Sequence, residues 1–270
     1  MQNKLKKVKM NLIRYSVRFL LLALIVTSIS CQKEIEGEVT PPPTTTTATP
    51  TAPVAKVCIN CDYLPVCDSS LYVYVDSTAS GIDSNRSVVK ILKDTLVSGL
   101  KYSGVSTLGF FDNGAFYNCD AQEYKVLFNA SDLGLNIDSL FGTLFQGLPV
   151  SPGTLPKPGM LKATILKANA AAGTKWKDVL YAVNLILVNI EVAMESELVA
   201  KTASRIVLSK SYTDVIQVKT NIRIAAGLAG TTNVSELVIY YAKGVGIIEA
   251  RVSDDQGLQL VRKLFSRKTF

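Results

Sequence analysis

The chain contains no histidine. That removes the commonest general base and the commonest metal ligand. Neither a Ser-His-Asp nor a Cys-His nucleophile can be assembled from these residues, and zinc sites of mixed Cys/His type are excluded with them. A phosphate-cradling G-x-x-x-x-G-K-[ST] sequence is also missing. Gly244-Val245-Gly246 begins like a dinucleotide-binding G-x-G-x-x-G but reaches Glu249 where the third glycine should stand, with no helical period after it, so it reads as a turn. Carboxylates are scattered, and no two form a recognisable catalytic pair. The sequence therefore carries no cofactor-binding pattern and no histidine-based metal pattern.

What is present begins at the N-terminus. The first thirty residues hold Lys4, Lys6, Lys7, Lys9, Arg14 and Arg18 and no acid. Phe19 to Ile29 is apolar apart from Thr27 and Ser28. This run is shorter than the ~20 residues that span a bilayer. A basic segment, a short apolar segment and small residues at its end describe a secretory signal peptide over 1–30. A retained N-terminal anchor and cleavage by an ordinary signal peptidase after Ser30 are the competing readings. Removal of the six basic residues takes the chain from +7 to +1. A nearly neutral mature chain lacks the basic footprint of a nucleic-acid binder.

Cys31 follows the apolar run directly, with Ser30 before it. This arrangement resembles a bacterial lipoprotein precursor, in which the thiol takes a diacylglycerol and the new amine is acylated. Cys31-Gln32-Lys33-Glu34-Ile35-Glu36 resembles the export signal of surface lipoproteins of Bacteroidota-type bacteria. The pattern departs from the common precursor at Ser28, where leucine is usual. The resemblance implies lipidation at Cys31 with palmitate-type chains, an outer-membrane location and display at the cell surface.

The cysteine count agrees. Five cysteines would leave one thiol over in an exported protein. Using Cys31 for lipid leaves Cys58, Cys61, Cys67 and Cys119. An oxidising compartment favours two disulfides among these, in three possible connectivities. The favoured set is Cys67 with Cys119 and Cys58 with Cys61. Cys58-Ile59-Asn60-Cys61 could instead be a redox C-x-x-C, although no helix period follows it and Pro65 is close. A zinc site made of the four thiols is the third option.

Residues 41–53, PPPTTTTATPTAP, cannot build a core. With Cys31 they make 31–53 a tether; a polyproline-like thirteen residues would reach ~40 Å at ~3.1 Å each. Residues 54–270 carry no second low-complexity break and read as one domain.

Strand patterns dominate that domain. In 215–224, Ile216, Val218, Thr220, Ile222 and Ile224 alternate with Gln217, Lys219, Asn221 and Arg223, one face buried and one wet. LYVYV (71–75), VVKIL (88–92), EYKVLF (123–128) and ELVIYY (236–241) predict further strands. Val183 to Met194 predicts one long apolar strand. Asp112-Asn113-Gly114 predicts a hairpin turn between GFF and AFY, and Lys243-Gly244 a second turn. Ile137, Leu140, Phe141, Leu144, Phe145 and Leu148 form the stripe of an amphipathic helix. Residues 101–108 with 114–128 share a strand grammar with 211–218 and 236–250, a hint of duplication. The fold class is mainly β: a curved antiparallel sheet or half-barrel with one or two short helices packed on it.

GTKW (173–176), YTDVIQV (212–218) and YYAKGVGIIE (240–249) resemble recurring segments of uncharacterised lipoproteins of the same bacterial group. Relatives of that shape resemble carriers of lipids and lipoproteins, and shape alone fixes no activity. Asp76-Ser77-Thr78, Asp94-Thr95-Leu96 and Asp138-Ser139-Leu140 resemble the O-glycosylation triplet of these bacteria. Trp176 reads as a buried anchor, with ligand stacking as the alternative. The leading functional reading is a membrane-anchored protein, not an enzyme, that binds an apolar ligand, glycan or protein partner. The alternatives are a histidine-free glycan hydrolase using two carboxylates and a thiol oxidoreductase using Cys58 and Cys61.

Overall fold

The computed structural model describes residues 57–129, 159–184, 189–227 and 230–269, all within one compact unit, Val54–Phe270. Strands β1 (Cys58–Ile59) and β2 (Val66–Cys67) make a small ladder. β3 (Leu71–Thr78) and β4 (Gly81–Val88) then form a hairpin. β5 (Thr95–Val97), β6 (Leu100–Val105), β7 (Ala115–Asn118), β8 (Glu123–Phe128) and β9 (Leu161–Lys167) make a five-stranded antiparallel meander. β10 (Lys175–Asn184), β11 (Asn189–Val207), β12 (Lys210–Ala226), β13 (Thr231–Ala242), β14 (Gly246–Asp254) and β15 (Gly257–Lys268) follow as successive antiparallel neighbours. β15 also pairs with β3, so the large sheet runs β10-β11-β12-β13-β14-β15-β3-β4.

The fold is the curved, mainly antiparallel β class expected, and it does not close into a barrel. Its curvature has a local cause. Each pairing from β10 round to β3 carries a register shift; only β3–β4 runs unbroken. A bulge bends its strand and raises the twist. β12 shows why these residues choose this sheet: Ile216, Val218, Thr220, Ile222 and Ile224 are all buried. Lys219 and Arg223 on the other face pair with Glu236 and Glu195 of the neighbouring strands. One core cluster draws from both sheets, including Tyr124, Phe128 and Leu166 with Leu198, Ile222 and Ile248.

Several expectations need correction. VVKIL is not a strand beyond Val88. Val89 exchanges backbone bonds with Ser69 and Ser70, whereas Leu92 donates to Gly104 and Lys90 accepts from Ser106. This segment crosses from the large sheet to the small one, so its apolar residues answer to two different partners. Gly104 permits the crossing: a Cβ there would lie 2.8 Å from the carbonyl oxygen of Lys93. Val183 to Met194 is not one strand; Val183 and Asn184 end β10 and pair with Ile190 and Asn189 at the start of β11. GFF forms a tight bridge, Leu108 to Phe111, inside the β6–β7 connection, so the strand that pairs with β7 is β6. The predicted helix stripe 137–148 lies outside the described residues; among those, helical structure is confined to a three-residue turn at Asp120–Gln122 and to Gly227 after β12. The two segments of similar grammar are β6-β7-β8 and β12-β13-β14, each three successive neighbours.

Arg262 of β15 joins the sheet to the β6–β7 connection. Its Nε and Nη2 donate to Asp76 at 2.9 and 2.8 Å, and Nη1 donates to the Gly109 carbonyl at 2.6 Å. Both side chains are largely buried. Breaking a buried pair from one side leaves an uncompensated charge. Arg262→Met is expected to cost ~3 kcal/mol, read as a lower urea midpoint, and Asp76→Leu added to it to recover part of the loss.

Candidate functional site

The N-terminal segment of the domain seals one end of the large sheet. Cys58 stands directly opposite Cys67 in the β1–β2 ladder and is bonded to it, with the Cα atoms 4.0 Å apart. Cys61, buried in the turn between these strands, is bonded to Cys119 just beyond β7, with the Cα atoms 6.0 Å apart. The favoured pairing of Cys67 with Cys119 and Cys58 with Cys61 is therefore not the one formed. Two-residue strands carry too little pattern to reveal that Cys58 faces Cys67. The redox reading is overturned by the same fact, because the two cysteines of the C-x-x-C belong to different bridges.

Backbone carbonyls between the bridges accept bonds from the sheet. Tyr72 and Tyr117 hydroxyls donate to Pro65 and Leu64 at 3.0 and 3.3 Å. Arg267 donates to Pro65 at 3.2 Å and to Gly244 at 2.7 Å. Beneath lies a slot lined by Leu64, Val66, Tyr72, Tyr74, Leu108 and Ile247. Period two along β3 puts both tyrosines on one face, with parallel rings 6.3 Å apart. Burial raises both phenol pKa values against the opposing pull of Arg267 at Tyr72 and of Arg262 and Arg267 at Tyr74. Gly109, at φ +65°, brings its backbone against Ile247, whose Cδ1 a Cβ would meet at 2.5 Å.

The slot offers about 20 Å³ of free volume and is partly open to solvent. One water needs ~10–15 Å³ by the same kind of measure. The slot therefore takes the end of an apolar chain or one small ring, not a whole lipid. Sequence patterning missed it because its lining comes from five separate segments.

The outer face of β10, β11 and β12 is a second concavity, a polar trough of about 450 Å³ lined by Lys175, Lys177, Glu195, Glu197, Lys219 and Arg223. Its carboxylates are engaged: Glu195 by Arg223 at 2.9 Å and Glu197 by Lys175 at 3.5 Å. Trp176 borders it but donates its Nε1–H to the Thr164 carbonyl at 2.7 Å. Asp178 accepts from the Thr164 amide at 2.9 Å. Both residues staple β10 to β9, so Trp176 is an anchor between the two sheets. Of the triplets, Asp76-Ser77-Thr78 lies on β3 with Asp76 held by Arg262, and Asp138-Ser139-Leu140 lies outside the described residues. Among the described residues no group of three or more Cys, Asp or Glu converges on a metal-sized site.

On β14, Glu249 is only 2% exposed. Arg205 donates to its Oε2 at 2.8 and 3.1 Å, and Arg251 donates to Oε1 at 2.9 Å. The Arg205 guanidinium also lies 3.5 Å from the Tyr240 ring centroid. Burial works against the charge, but the arginine bonds outweigh it and hold Glu249 below the ordinary glutamate range.

No family model matches the chain, and no curated protein is similar enough to match it. Two solved structures are similar over 78% of this chain and all of theirs. One is a candidate lipoprotein from Parabacteroides distasonis, at 13% identity and a TM-score of 0.40. The other is a candidate exported protein with a YmcC-like fold from Bacteroides fragilis, at 10% and 0.41. Similarity at this level assigns neither a family nor an activity.

Two outcomes follow from this geometry. Cys61→Ser with Cys119→Ser opens the loop of sequence separation 58 and is expected to cost ~4 kcal/mol in the chain-entropy picture. Cys58→Ser with Cys67→Ser, at separation 9, should cost ~2.5 kcal/mol; urea midpoints of the two variants give the order. A glutamate with a depressed folded pKa stabilises above its unfolded pKa, and that contribution is lost as pH falls through the folded value. Glu249→Gln is therefore expected to cost ~2 kcal/mol at neutral pH, and the gap from the unmutated protein should narrow in acid.

Proposed function

We propose that this protein is an envelope lipoprotein, held to a membrane through Cys31, whose β domain binds an apolar group in the Tyr72–Tyr74 slot and performs no catalysis of its own. The observation that carries the reading is the use of the cysteines. All four in the domain are consumed in two bridges. That leaves Cys31 as the single unmatched thiol, directly after the apolar leader. Disulfides persist in exported proteins and are rare in reducing compartments, so the bridges support export independently of the leader. The outer membrane and surface display rest on the resemblance of the residues after Cys31.

The slot supports the ligand half. Small-ligand sites are ordinarily mainly apolar clefts of ~300–1,000 Å³; the slot shares the apolar lining but, at about 20 Å³, is far smaller and admits one group only. Its two tyrosines are locked by hydrogen bonds to backbone carbonyls, so the lining is rigid before any ligand arrives. The slot takes a part of a ligand, such as a chain terminus or an aromatic side chain of a partner.

The experiment has two readouts. Intact mass of the protein purified from membranes should exceed the Cys31–Phe270 polypeptide by diacylglycerol plus an acyl chain, and Cys31→Ser should lose both that mass and membrane association. An unmodified Cys31 in membrane-purified protein overturns the anchoring reading. Ile247→Phe intrudes on the slot; it should weaken binding of 1-anilinonaphthalene-8-sulfonate, with the urea midpoint measured alongside to separate lost binding from the ~1–3 kcal/mol that overpacking a core costs. Probe binding undiminished in that variant places the ligand elsewhere.

A further inference from the structure

The β11–β12 hairpin runs past the sheet it belongs to. β12 pairs with β13 only from Val215 onward. Lys210 to Thr213 have β11 alone as their ladder partner, in a register that ends at Val207 opposite Lys210. Leu208 and Ser209 form the tip, both at positive φ, 47° and 65°. Hairpin tips of this kind ordinarily take Asn-Gly, and a leucine there is uncommon. The side chains around the tip are apolar and in water: Ile206 is 73% exposed and Leu208 39%. Lys210 donates to the Phe265 carbonyl and its ammonium lies 5.4 Å from the Phe265 ring centroid, which brings β15 to the tip. Phe265 is the extra residue of the β15 bulge and is 53% exposed.

Cations outnumber acids around this patch. Arg205 and Lys210 flank the tip, and Lys263, Arg267 and Lys268 accompany Phe265 along β15. Of the neighbouring carboxylates, Glu249 is paired with Arg205 and Arg251 and Asp62 with Lys243 at 3.5 Å, and Asp214 stands at the foot of the hairpin. The N-terminal segment of the domain lies at this same end. The Asp62 carbonyl accepts the Gly244 amide at 2.6 Å, the Pro65 carbonyl accepts Arg267, and the Asp214 carbonyl accepts the Lys243 amide at the foot of the hairpin.

We propose that the Ile206–Leu208 tip and Phe265, with Lys210 and Lys263 beside them, form a contact surface for an anionic lipid bilayer. Apolar side chains exposed at the tip enter the interfacial layer, and nearby cations are drawn to anionic headgroups. The position of the tip beside the start of the domain suits a membrane held by a tether on that side. That part of the argument rests on the anchoring reading above; the surface itself can be tested without it.

The test uses the mature chain, residues 31–270, carrying Cys31→Ser so that no lipid is attached. Co-sedimentation is measured with vesicles of phosphatidylglycerol and phosphatidylethanolamine in equal parts and with vesicles of phosphatidylcholine alone. Binding to the anionic vesicles, weakened by added salt, is expected; Ile206→Ser, Leu208→Ser and Phe265→Ser together should lower it about tenfold. Ile206→Glu alone, at the most exposed of the three positions, should lower it in the same direction with an unchanged unfolding midpoint. Absence of binding to the anionic vesicles, or binding undiminished in these variants, overturns the proposal. So does a concentration-dependent dimer that the same substitutions abolish without any effect of vesicles, which would assign the patch to a second copy of the chain. Failure of Cys31 lipidation leaves these outcomes unaffected.

Discussion

An open curved sheet buries its concave face but leaves its ends exposed, and the structure depends on how one of those ends is sealed. Here the seal is the short segment between Cys58 and Cys67. One bridge folds it into a ladder, the other ties it to the small sheet, and its free carbonyls take up Tyr72, Tyr117 and Arg267. Covalent closure constrains the unfolded chain, and the hydrogen bonds satisfy backbone groups that would otherwise be buried without partners. The slot exists because this seal and the β6–β7 connection meet over β3 without filling the space between them.

Arginine organises the same region. Arg262 and Arg267, five residues apart on β15, each combine hydrogen bonds with a tyrosine of β3, at 5.7 Å from Tyr74 and 5.4 Å from Tyr72. A lysine could not substitute, since only the guanidinium fork grips Asp76 with two bonds while also reaching the Gly109 carbonyl. Farther out, Glu249 is held by Arg205 and Arg251 under Tyr240. Arg205 lies just before the hairpin tip, so this cluster also fixes where the overhanging hairpin starts.

How much of this was legible depended on pattern length. β8 and the core of β12 announced themselves because four or more residues alternate against one unchanging partner face. VVKIL misled because its apolar residues serve two sheets in turn. Val183 to Met194 misled because two adjacent strands with the same composition read as one when the connection lacks turn residues. Cys58 and Cys67 could have been matched only by recognising two-residue strands, below any periodic signal. Turn chemistry was more dependable: Lys243-Gly244 does close β13 on β14, with Gly244 at φ 71°. The slot was invisible, since Leu64, Tyr72, Leu108 and Ile247 share no motif and meet only through topology. The absence of histidine was legible at once, and it still narrows the chemistry more than any single residue that is present.

The seal is the central claim, and mapping the disulfides in protein made by its native cell tests it most directly. Non-reducing digestion followed by mass spectrometry should yield a peptide pair joined through Cys58 and Cys67 and another joined through Cys61 and Cys119, with Cys31 in neither. A pair joining Cys58 to Cys61, or any bridge that includes Cys31, would contradict the account.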